Sequence, residues 1–352
     1  MRVSRPPISP DMSLASQQPV VPCARLLGAL ALLAVAPIVA SAQTAHDTSA
    51  KAFVIPTWAF PVQAGALPPA TGTDTAARAT LPTSKVSFSV GRTRDRYDVA
   101  DWNPETHPTP PAFVLHGRKP AVMACGFCHL ADGRGRPENA MVAGLPAPYI
   151  IEQVKDMRTR ARHSAASWPF APGVAMQQIA DSVTDAELEV VAQYFSRVRA
   201  RRASRVVESD SVPKTMPLNG LSTLLPGTER EALNGRLIEV PLELRRHELH
   251  DPMAAYVAYV PRGSLVRGRK LAEGDAKHGV KGCESCHGPS LRGVGLVPPL
   301  AGRSPSYLLR QLVAFHTGAR ATAASAPMNE VASKLSLEDM VAAAAYAGSR
   351  KP

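Results

Sequence analysis

Cysteine is scarce in this chain, and its distribution excludes several classes of protein. There are five cysteines among 352 residues, and four of them lie in two short segments, at 125–128 and 283–286. The fifth, Cys23, precedes an N-terminal apolar run. A disulfide-stabilised extracellular domain would need further cysteine pairs, so that class is excluded. Each of the four remaining thiols is expected to serve the segment in which it lies.

Long apolar runs are also rare. One run, at residues 26–40, follows Arg25 and leads into Ala40-Ser41-Ala42, which has the A-x-A form of a cleavage site. The run contains Pro37 and is shorter than the roughly 20 residues of a membrane span. We therefore interpret residues 1–42 as a secretory signal peptide, with an uncleaved anchor as the alternative. Export predicts a periplasmic location.

Acidic residues are outnumbered by basic ones, which gives a formal net charge of +11. A basic surface suits an acidic protein partner or an anionic lipid surface, and the latter would mean peripheral membrane association. Lys and Arg are spread along the chain, so nucleic acid is not an expected partner. Hydrophobic residues make up 45% of the chain and there are 33 prolines, which predicts folded cores joined by long irregular connections.

Two matching segments carry the chemistry: Cys125-Gly126-Phe127-Cys128-His129 and Cys283-Glu284-Ser285-Cys286-His287. Each has the C-x-x-C-H form in which c-type haem is attached. On a helix, two cysteines three residues apart share a face and can form thioethers with the porphyrin, and the next histidine can ligate the iron. Structural zinc is the alternative, but zinc needs four ligands and each segment offers three. The sequence therefore predicts two covalent haem groups, attached through all four cysteines, with His129 and His287 as iron ligands.

Both segments belong to an internal repeat with a period of about 158 residues. Each histidine is followed twenty residues later by a tyrosine, Tyr149 or Tyr307, that opens a stretch with one apolar helical face. Arg162 and Arg320 hold matching positions after these stretches. Each copy is therefore expected to contain a C-x-x-C-H helix, a middle helix, a methionine loop and a C-terminal helix.

The last helix of each copy has a recognisable start. Thr184 and Ser336 are its predicted N-caps, and Glu187 completes a capping box in the first copy. Each copy also has a methionine at the same distance before this helix, Met176 or Met328. Because a thioether is a soft ligand that favours ferrous iron, these two residues are the candidates for the sixth iron position.

Other side chains could occupy that sixth position. The alternative candidates for the sixth iron ligand are Met141, Met157, His163 and His316. Neither histidine has a counterpart in the other copy, so both are interpreted as solvated surface residues. In the first copy, Trp168, Pro169 and Phe170 are expected to pack over the haem edge.

The iron-ligating histidines are expected to donate their second ring nitrogen to a backbone carbonyl. In the second copy, Pro298-Pro299 is placed to shape that carbonyl. The aligned residues of the first copy, Ala140-Met141, lack proline, so the surroundings of the first haem are less defined by the sequence.

Taken together, these motifs resemble tandem dihaem class I cytochromes c, soluble periplasmic electron carriers with two His/Met haem domains. The resemblance covers residues 113–200 and 264–351. It implies an all-α fold with two tandem cytochrome c class I domains, at 111–200 and 264–352. The chain departs from the family in a Pro/Ala/Thr-rich extension at 43–110 and a long inter-domain segment at 201–263. We interpret residues 43–83 as a mobile tether and residues 237–241 as an edge strand.

The resemblance implies an electron carrier that is not an enzyme. Such a carrier would shuttle electrons between a dehydrogenase or quinol-oxidising complex and an oxidase or reductase. Two alternatives are a peroxidase-like dihaem enzyme with one open iron site and a haem subunit of a membrane dehydrogenase complex. The matched spacing of Met176 and Met328 argues against an open iron. A thiosulfate-oxidising enzyme of this kind would use a cysteine ligand, and no cysteine is free after the leader.

Overall fold

The helices of this chain follow the order of the repeat, and its short strands lie outside the two copies. The computed structural model describes residues 53–63, 74–274 and 281–352, so the proposed signal peptide lies outside the described residues. Within these ranges the helices are α1 (Val90–Thr93), α2 (Ala112–His116), α3 (Cys125–His129), α4 (Ala147–Arg158), α5 (Ala171–Ser182), α6 (Asp185–Arg197), α7 (Leu244–Glu248), α8 (Ser264–Glu273), α9 (Glu284–His287), α10 (Pro305–His316), α11 (Ala326–Ser333) and α12 (Leu337–Ser349).

Strands occupy the extension and the inter-domain segment. In chain order they are β1 (Arg78–Thr80), β2 (Ser87–Ser89), β3 (Ser204–Glu208), β4 (Ser211–Pro213), β5 (Thr215–Leu218), β6 (Leu221–Leu224), β7 (Arg230–Ala232), β8 (Ile238–Pro241) and β9 (Tyr256–Val260). The expectation of an all-α fold is therefore too narrow. It failed because β-branched and aromatic residues concentrate between the two repeats, as in the Tyr-Val-Ala-Tyr-Val of β9, and such residues favour strands.

We call α2–α6 the first lobe and α8–α12 the second lobe. In each lobe, a C-x-x-C-H helix is followed by a middle helix and then by two further helices. The last helices, α6 and α12, begin at the predicted N-caps Thr184 and Ser336, and both have complete capping boxes. Their apolar faces, which include Phe195 and Met340, are buried in the two lobe cores.

A small sheet in the inter-domain segment packs against the second lobe. Strand β9 lies in the middle, parallel to β3 and antiparallel to β8. The sequence prediction of an edge strand at 237–241 is confirmed, because β8 forms one border of this sheet. Val260 at the end of β9 is buried in the same core as helix α12, so the sheet extends the core of the second lobe.

The N-terminal extension is packed where the structure describes it. Phe60 is buried in the core of the second lobe, and the backbone oxygen of Ala59 accepts a hydrogen bond from Arg310 in α10. The interpretation of 43–83 as a mobile tether is therefore wrong for residues 53–63, and also for 74–83, where Ala79 and Leu81 are buried. Trp102 is also buried, and its indole nitrogen donates to Leu249 O at 2.7 Å. The extension thus joins the folded body through aromatic anchors that a count of Pro, Ala and Thr does not reveal.

Candidate haem sites

The first candidate site is built around the short helix α3. The Nδ1 atom of His129 lies 2.8 Å from the backbone oxygen of Ala140. A carbonyl oxygen can only accept, so Nδ1 carries the proton and Nε2 is left with a free lone pair. Burial lowers the pKa of His129, which keeps the ring neutral. A neutral imidazole with a fixed Nδ1–H donor is the form in which histidine ligates metals.

The second candidate site repeats this arrangement around α9. The Nδ1 atom of His287 lies 2.8 Å from Pro298 O, and burial again lowers the pKa of the ring. The prediction that Pro298 would shape the accepting carbonyl is confirmed. Ala140 supplies the same acceptor in the first lobe without a proline, so the proline is not required for this geometry.

The loop that brings each carbonyl to its histidine depends on glycine. Gly135 N donates to His129 O at 2.9 Å, and Gly293 N donates to His287 O at 2.7 Å. Both glycines have positive φ, and a Cβ atom on Gly135 would overlap the Ala140 carbonyl group itself. Sequence reasoning missed this pair, although the two glycines are separated by the repeat period.

A cavity opens beside the first C-x-x-C-H helix. It contains about 1550 Å³ of empty space, part of it open to solvent, and it is lined by Cys125, Cys128, His129 and Met176 together with apolar side chains such as Ile150. Burial raises the pKa of Cys125 to about 12, so this thiol is neutral. A large, mostly apolar group joined to the two sulfur atoms fits this donor set and this lining.

The candidate methionines lie on helices rather than in the expected loops. Met176 is in the middle of α5 and Met328 is near the start of α11, and both are half-buried. The next residue holds each helix to the middle helix. Gln177 Nε2 donates to Met157 O at 2.6 Å, and Asn329 Nδ2 donates to Phe315 O at 2.7 Å. These contacts are equivalent in the repeat, so the two methionines occupy corresponding places.

The alternative ligands differ in their surroundings. Met157 lines the first cavity with Met176, but the equivalent residue of the second lobe is Phe315, which cannot ligate iron. Met141 is buried in the core of the first lobe. His163 is exposed, as expected. His316 is not a solvated residue: its Nδ1 lies 2.8 Å from Ala332 O and its ring packs on Phe53 at 4.1 Å.

Two buried arginines meet where the lobes contact each other. Arg162 donates to Gln153 and Gln311, both at 3.0 Å, and to Tyr307 at 3.1 Å. Arg320 donates to the same two glutamines and to Tyr149. All of these hydrogen-bond partners are neutral, and the six residues form three pairs separated by the repeat period. Buried cations require compensating negative charge, which the carboxylate groups of two haems could supply.

Aromatic residues before α5 form part of the wall of the first cavity. Phe170 is buried and lines the cavity, while Trp168 donates from its indole nitrogen to Phe60 O at 3.2 Å. Phe60 also lines the cavity, and its ring meets Phe170 edge-on at 5.5 Å. The expected packing of this segment beside the first site is therefore seen for Phe170, with the N-terminal extension contributing a second ring.

Comparison with known proteins gives named relatives. No family model matches the chain. It is 27% identical over 237 residues to the thiosulfate dehydrogenase electron acceptor of Stutzerimonas stutzeri (strain A1501), a match that covers 66% of this chain and 82% of the relative. It is 24% identical over 226 residues to cytochrome c4 of Azotobacter vinelandii, covering 63% of this chain and 82% of the relative.

Solved structures of similar proteins were also found. The thiosulfate dehydrogenase TsdBA of Marichromatium purpuratum aligns with a TM-score of 0.46 and 27% identity, over 66% of this chain and 38% of that one. Cytochrome c4 of Acidithiobacillus ferrooxidans aligns with a TM-score of 0.43 and 20% identity, over 64% of this chain and 98% of that one. With two C-x-x-C-H segments and relatives named cytochrome c4 and thiosulfate dehydrogenase electron acceptor, the chain is a dihaem cytochrome c, an electron-transfer protein with two covalently bound haem c groups.

Proposed function

We propose that this cytochrome is a periplasmic carrier that takes electrons from a dehydrogenase or quinol-oxidising complex and passes them to an oxidase or reductase. The observation that carries the proposal is the matched pair of histidines, His287 buried and His129 half-buried, each held through Nδ1 by a backbone carbonyl 2.8 Å away. When bound, a haem supplies an iron that changes between ferrous and ferric states. The chain binds the haem, orients the histidine that ligates its iron, and excludes water from the site.

The proposed ligand sets follow the repeat. Cys125 and Cys128 attach the first haem and Cys283 and Cys286 the second. His129 and Met176 are the proposed axial ligands of the first iron, and His287 and Met328 those of the second. The shared cavity of His129 and Met176 supports the first set, and the equivalent anchoring of α11 supports the second.

A thiosulfate-oxidising dehydrogenase is the first donor to test, because two relatives are named thiosulfate dehydrogenase electron acceptor. Oxidation of thiosulfate releases electrons that a separate haem protein can accept, so this chain needs no catalytic residue of its own. Within the described ranges no helix has the length and apolarity of a membrane span.

Spectroscopy of the ferric protein, expressed with export to the periplasm, tests the proposal. We expect two covalent haems per chain, both low-spin in EPR, with the absorption band that marks methionine bound to ferric iron. Reversible reduction of both haems in a mediated potentiometric titration would complete the result. A high-spin iron, or one whose sixth position is open without added imidazole, would overturn the carrier assignment and would favour the peroxidase-like alternative.

A further inference from the structure

The two lobes differ in how their haem-attachment surfaces are covered. We define the haem-box face of each lobe as its C-x-x-C-H segment and the loop that leads to the carbonyl holding the histidine. These are residues 125–140 in the first lobe and 283–298 in the second. Because the two ranges are related by the repeat period, each position in one has a counterpart in the other, and the lobes serve as controls for each other.

In the first lobe, the inter-domain segment covers the haem-box face. The ring of Phe127 packs on His250 at 4.7 Å, and Arg134 donates to the backbone oxygen of Arg202 at 2.7 Å and to that of Pro252. Gly133 and Gly135 in the same loop are buried. Partners from within the chain therefore occupy this surface.

An ion pair is buried beneath the inter-domain segment. Arg136 Nε lies 3.0 Å from Glu138 Oε1, and Glu138 is only 7% exposed. His247 from α7 approaches the same carboxylate, at 3.8 Å. A pair of this kind belongs to the interior of the protein, because charged groups are buried only when they are paired.

In the second lobe, the corresponding surface is open and apolar. The counterparts of Arg136 and Glu138 are Val294 and Leu296, which are 58% and 63% exposed. Cys286, the counterpart of Cys128, belongs to the same face. Where the first lobe buries charge, the second presents hydrophobic side chains to solvent beside a haem-attachment cysteine. Exposed apolar groups beside a functional centre mark interaction surfaces.

We infer that the haem-box face of the second lobe is the docking surface for a redox protein that presents an apolar contact patch with an acidic rim. The inference rests on the proposed function. Two exposed cations, Lys281 and Arg292, flank the apolar loop, and Glu284 is the only acidic residue in 281–298. The chain's net charge of +11 would also attract an acidic partner to the protein during diffusional encounter.

Because the haem-box face of the first lobe is covered, the two haems differ in their access to a partner. Among the residues that the structure describes, Val294 and Leu296 of the second lobe are exposed to an approaching partner, whereas the matching approach to the first lobe is occupied by residues 247–253 and 202. Electrons are therefore exchanged with this partner through the second haem, and the first haem is reached across the contact between the lobes.

The test uses the holoprotein and an electrode as the probe. A gold surface coated with mixed methyl- and carboxylate-terminated chains imitates an apolar patch with acidic groups. The variants are Leu296→Glu, Leu296→Gln and Arg292→Glu. The matched control is Val190→Glu, which places the same charge on an apolar residue of α6 that is 48% exposed.

We expect Leu296→Glu to slow interfacial electron transfer by about tenfold, because it adds a repelling charge at the contact. Arg292→Glu should slow it too, because it replaces an attracting charge by a repelling one. Leu296→Gln should slow it less, and Val190→Glu should leave it within about twofold. Equal rates for Leu296→Glu and Val190→Glu would overturn the inference. So would a concentration-dependent dimer in sedimentation that Leu296→Glu abolishes, because the occupant would then be a second copy of this chain.

The proposed function has a separate readout. A small soluble reductant with mediators should reduce both haems of every variant to the same extent, since it needs no docking surface. If the unaltered protein fails this solution titration, the carrier proposal fails whatever the electrode shows. If the titration succeeds and the electrode rates do not discriminate among the variants, only the docking inference fails.

Discussion

At the scale of single residues, the haem sites depend on small hydrogen-bonding groups that fix the direction of larger side chains. His129 and His287 are oriented by one carbonyl oxygen each. The glycines of the two loops leave room for the backbone that carries those carbonyls. Because the Nδ1–H of each ring is already bound, only Nε2 can face a ligand.

Substitution of the proposed sulfur ligand is the sharpest residue-scale prediction. We expect Met176→Ala to convert the first iron to a high-spin or water-ligated state and to lower its reduction potential, because the soft thioether that favours ferrous iron is lost. EPR and potentiometry measure both effects. Met157→Ala removes a thioether from the same cavity and serves as the control. Loss of the low-spin signal in Met157→Ala, with Met176→Ala unaffected, would reassign the ligand.

At the scale of elements, the methionine helices are positioned by one amide side chain each. Asn329 in α11 donates to Phe315 O and to Arg320 O, both at 2.7 Å. Gln177 in α5 makes the equivalent contact with Met157 O. A helix of eight residues such as α11 has little stability of its own, so these contacts decide where it sits.

Removal of the anchor should loosen the second iron site. We expect Asn329→Ala to weaken the methionine–iron absorption band of the second haem. External imidazole should displace the methionine at a concentration about tenfold lower, the equivalent of one lost hydrogen bond. Ser333→Ala, an exposed change on the same helix, is the control. Identical imidazole titrations for the two variants would show that Asn329 does not position Met328.

The start of α6 carries a pH-dependent contribution to stability. A hydrogen bond from Arg118 lowers the pKa of Glu187 to about 2, from an ordinary value of 4.5. Glu187 also accepts from Thr184 N at 2.8 Å in the capping box. Since the folded-state pKa is depressed, the stabilisation is complete above about pH 4.5 and is lost as the pH falls toward 2.

Substitution of this glutamate should remove the acid dependence. We expect Glu187→Gln to lower the free energy of unfolding by about 1 kcal/mol at pH 7, a value reduced for solvent screening. The difference from the unaltered protein should shrink as the pH approaches 2. Urea unfolding at several pH values measures it, with Glu189→Gln on the same helix as the control. A difference that does not change with pH would contradict this assignment.

At the scale of the whole molecule, the two lobes are joined by residues that the repeat places in register. Arg162 and Arg320 pair their backbones across the contact, where His163 N donates to Ala319 O at 2.9 Å and Ala321 N donates to Ala161 O at 3.0 Å. Arg303 of the second lobe donates to the backbone oxygens of Met141 and Ala143 in the first. Burial lowers the pKa of Arg303 to about 10, still far above neutrality, so its charge is retained.

Loss of a central arginine should affect both haems. We expect Arg162→Gln to lower the free energy of unfolding by about 2 kcal/mol, because it leaves buried acceptors without a donor. The reduction potentials of both haems should fall, since a buried positive charge near them is removed. Arg199→Gln, a change at an exposed arginine, is the control for net charge. A shift in one haem alone would show that the arginine serves a single lobe.

The haem chemistry, the repeat and the starts of the last helices could be predicted from the amino-acid sequence, because these depend on local patterns of a few residues. C-x-x-C-H fixes which atoms can reach one porphyrin, and Thr184 with Glu187 caps a helix through contacts three residues apart. The same local reasoning identified β8 as an edge strand and Pro298 as the acceptor for His287.

Which surfaces are covered depends on the folded arrangement of the whole chain. The contacts of Arg134 with Arg202 O and Pro252 O, and of Phe60 with the second lobe, join residues far apart in the chain. The helical setting of Met176 and Met328 likewise depends on anchoring to the middle helices. Contacts of this kind follow from packing between distant segments, which no local pattern encodes. The closed face of the first lobe and the open face of the second therefore became visible only in the folded molecule.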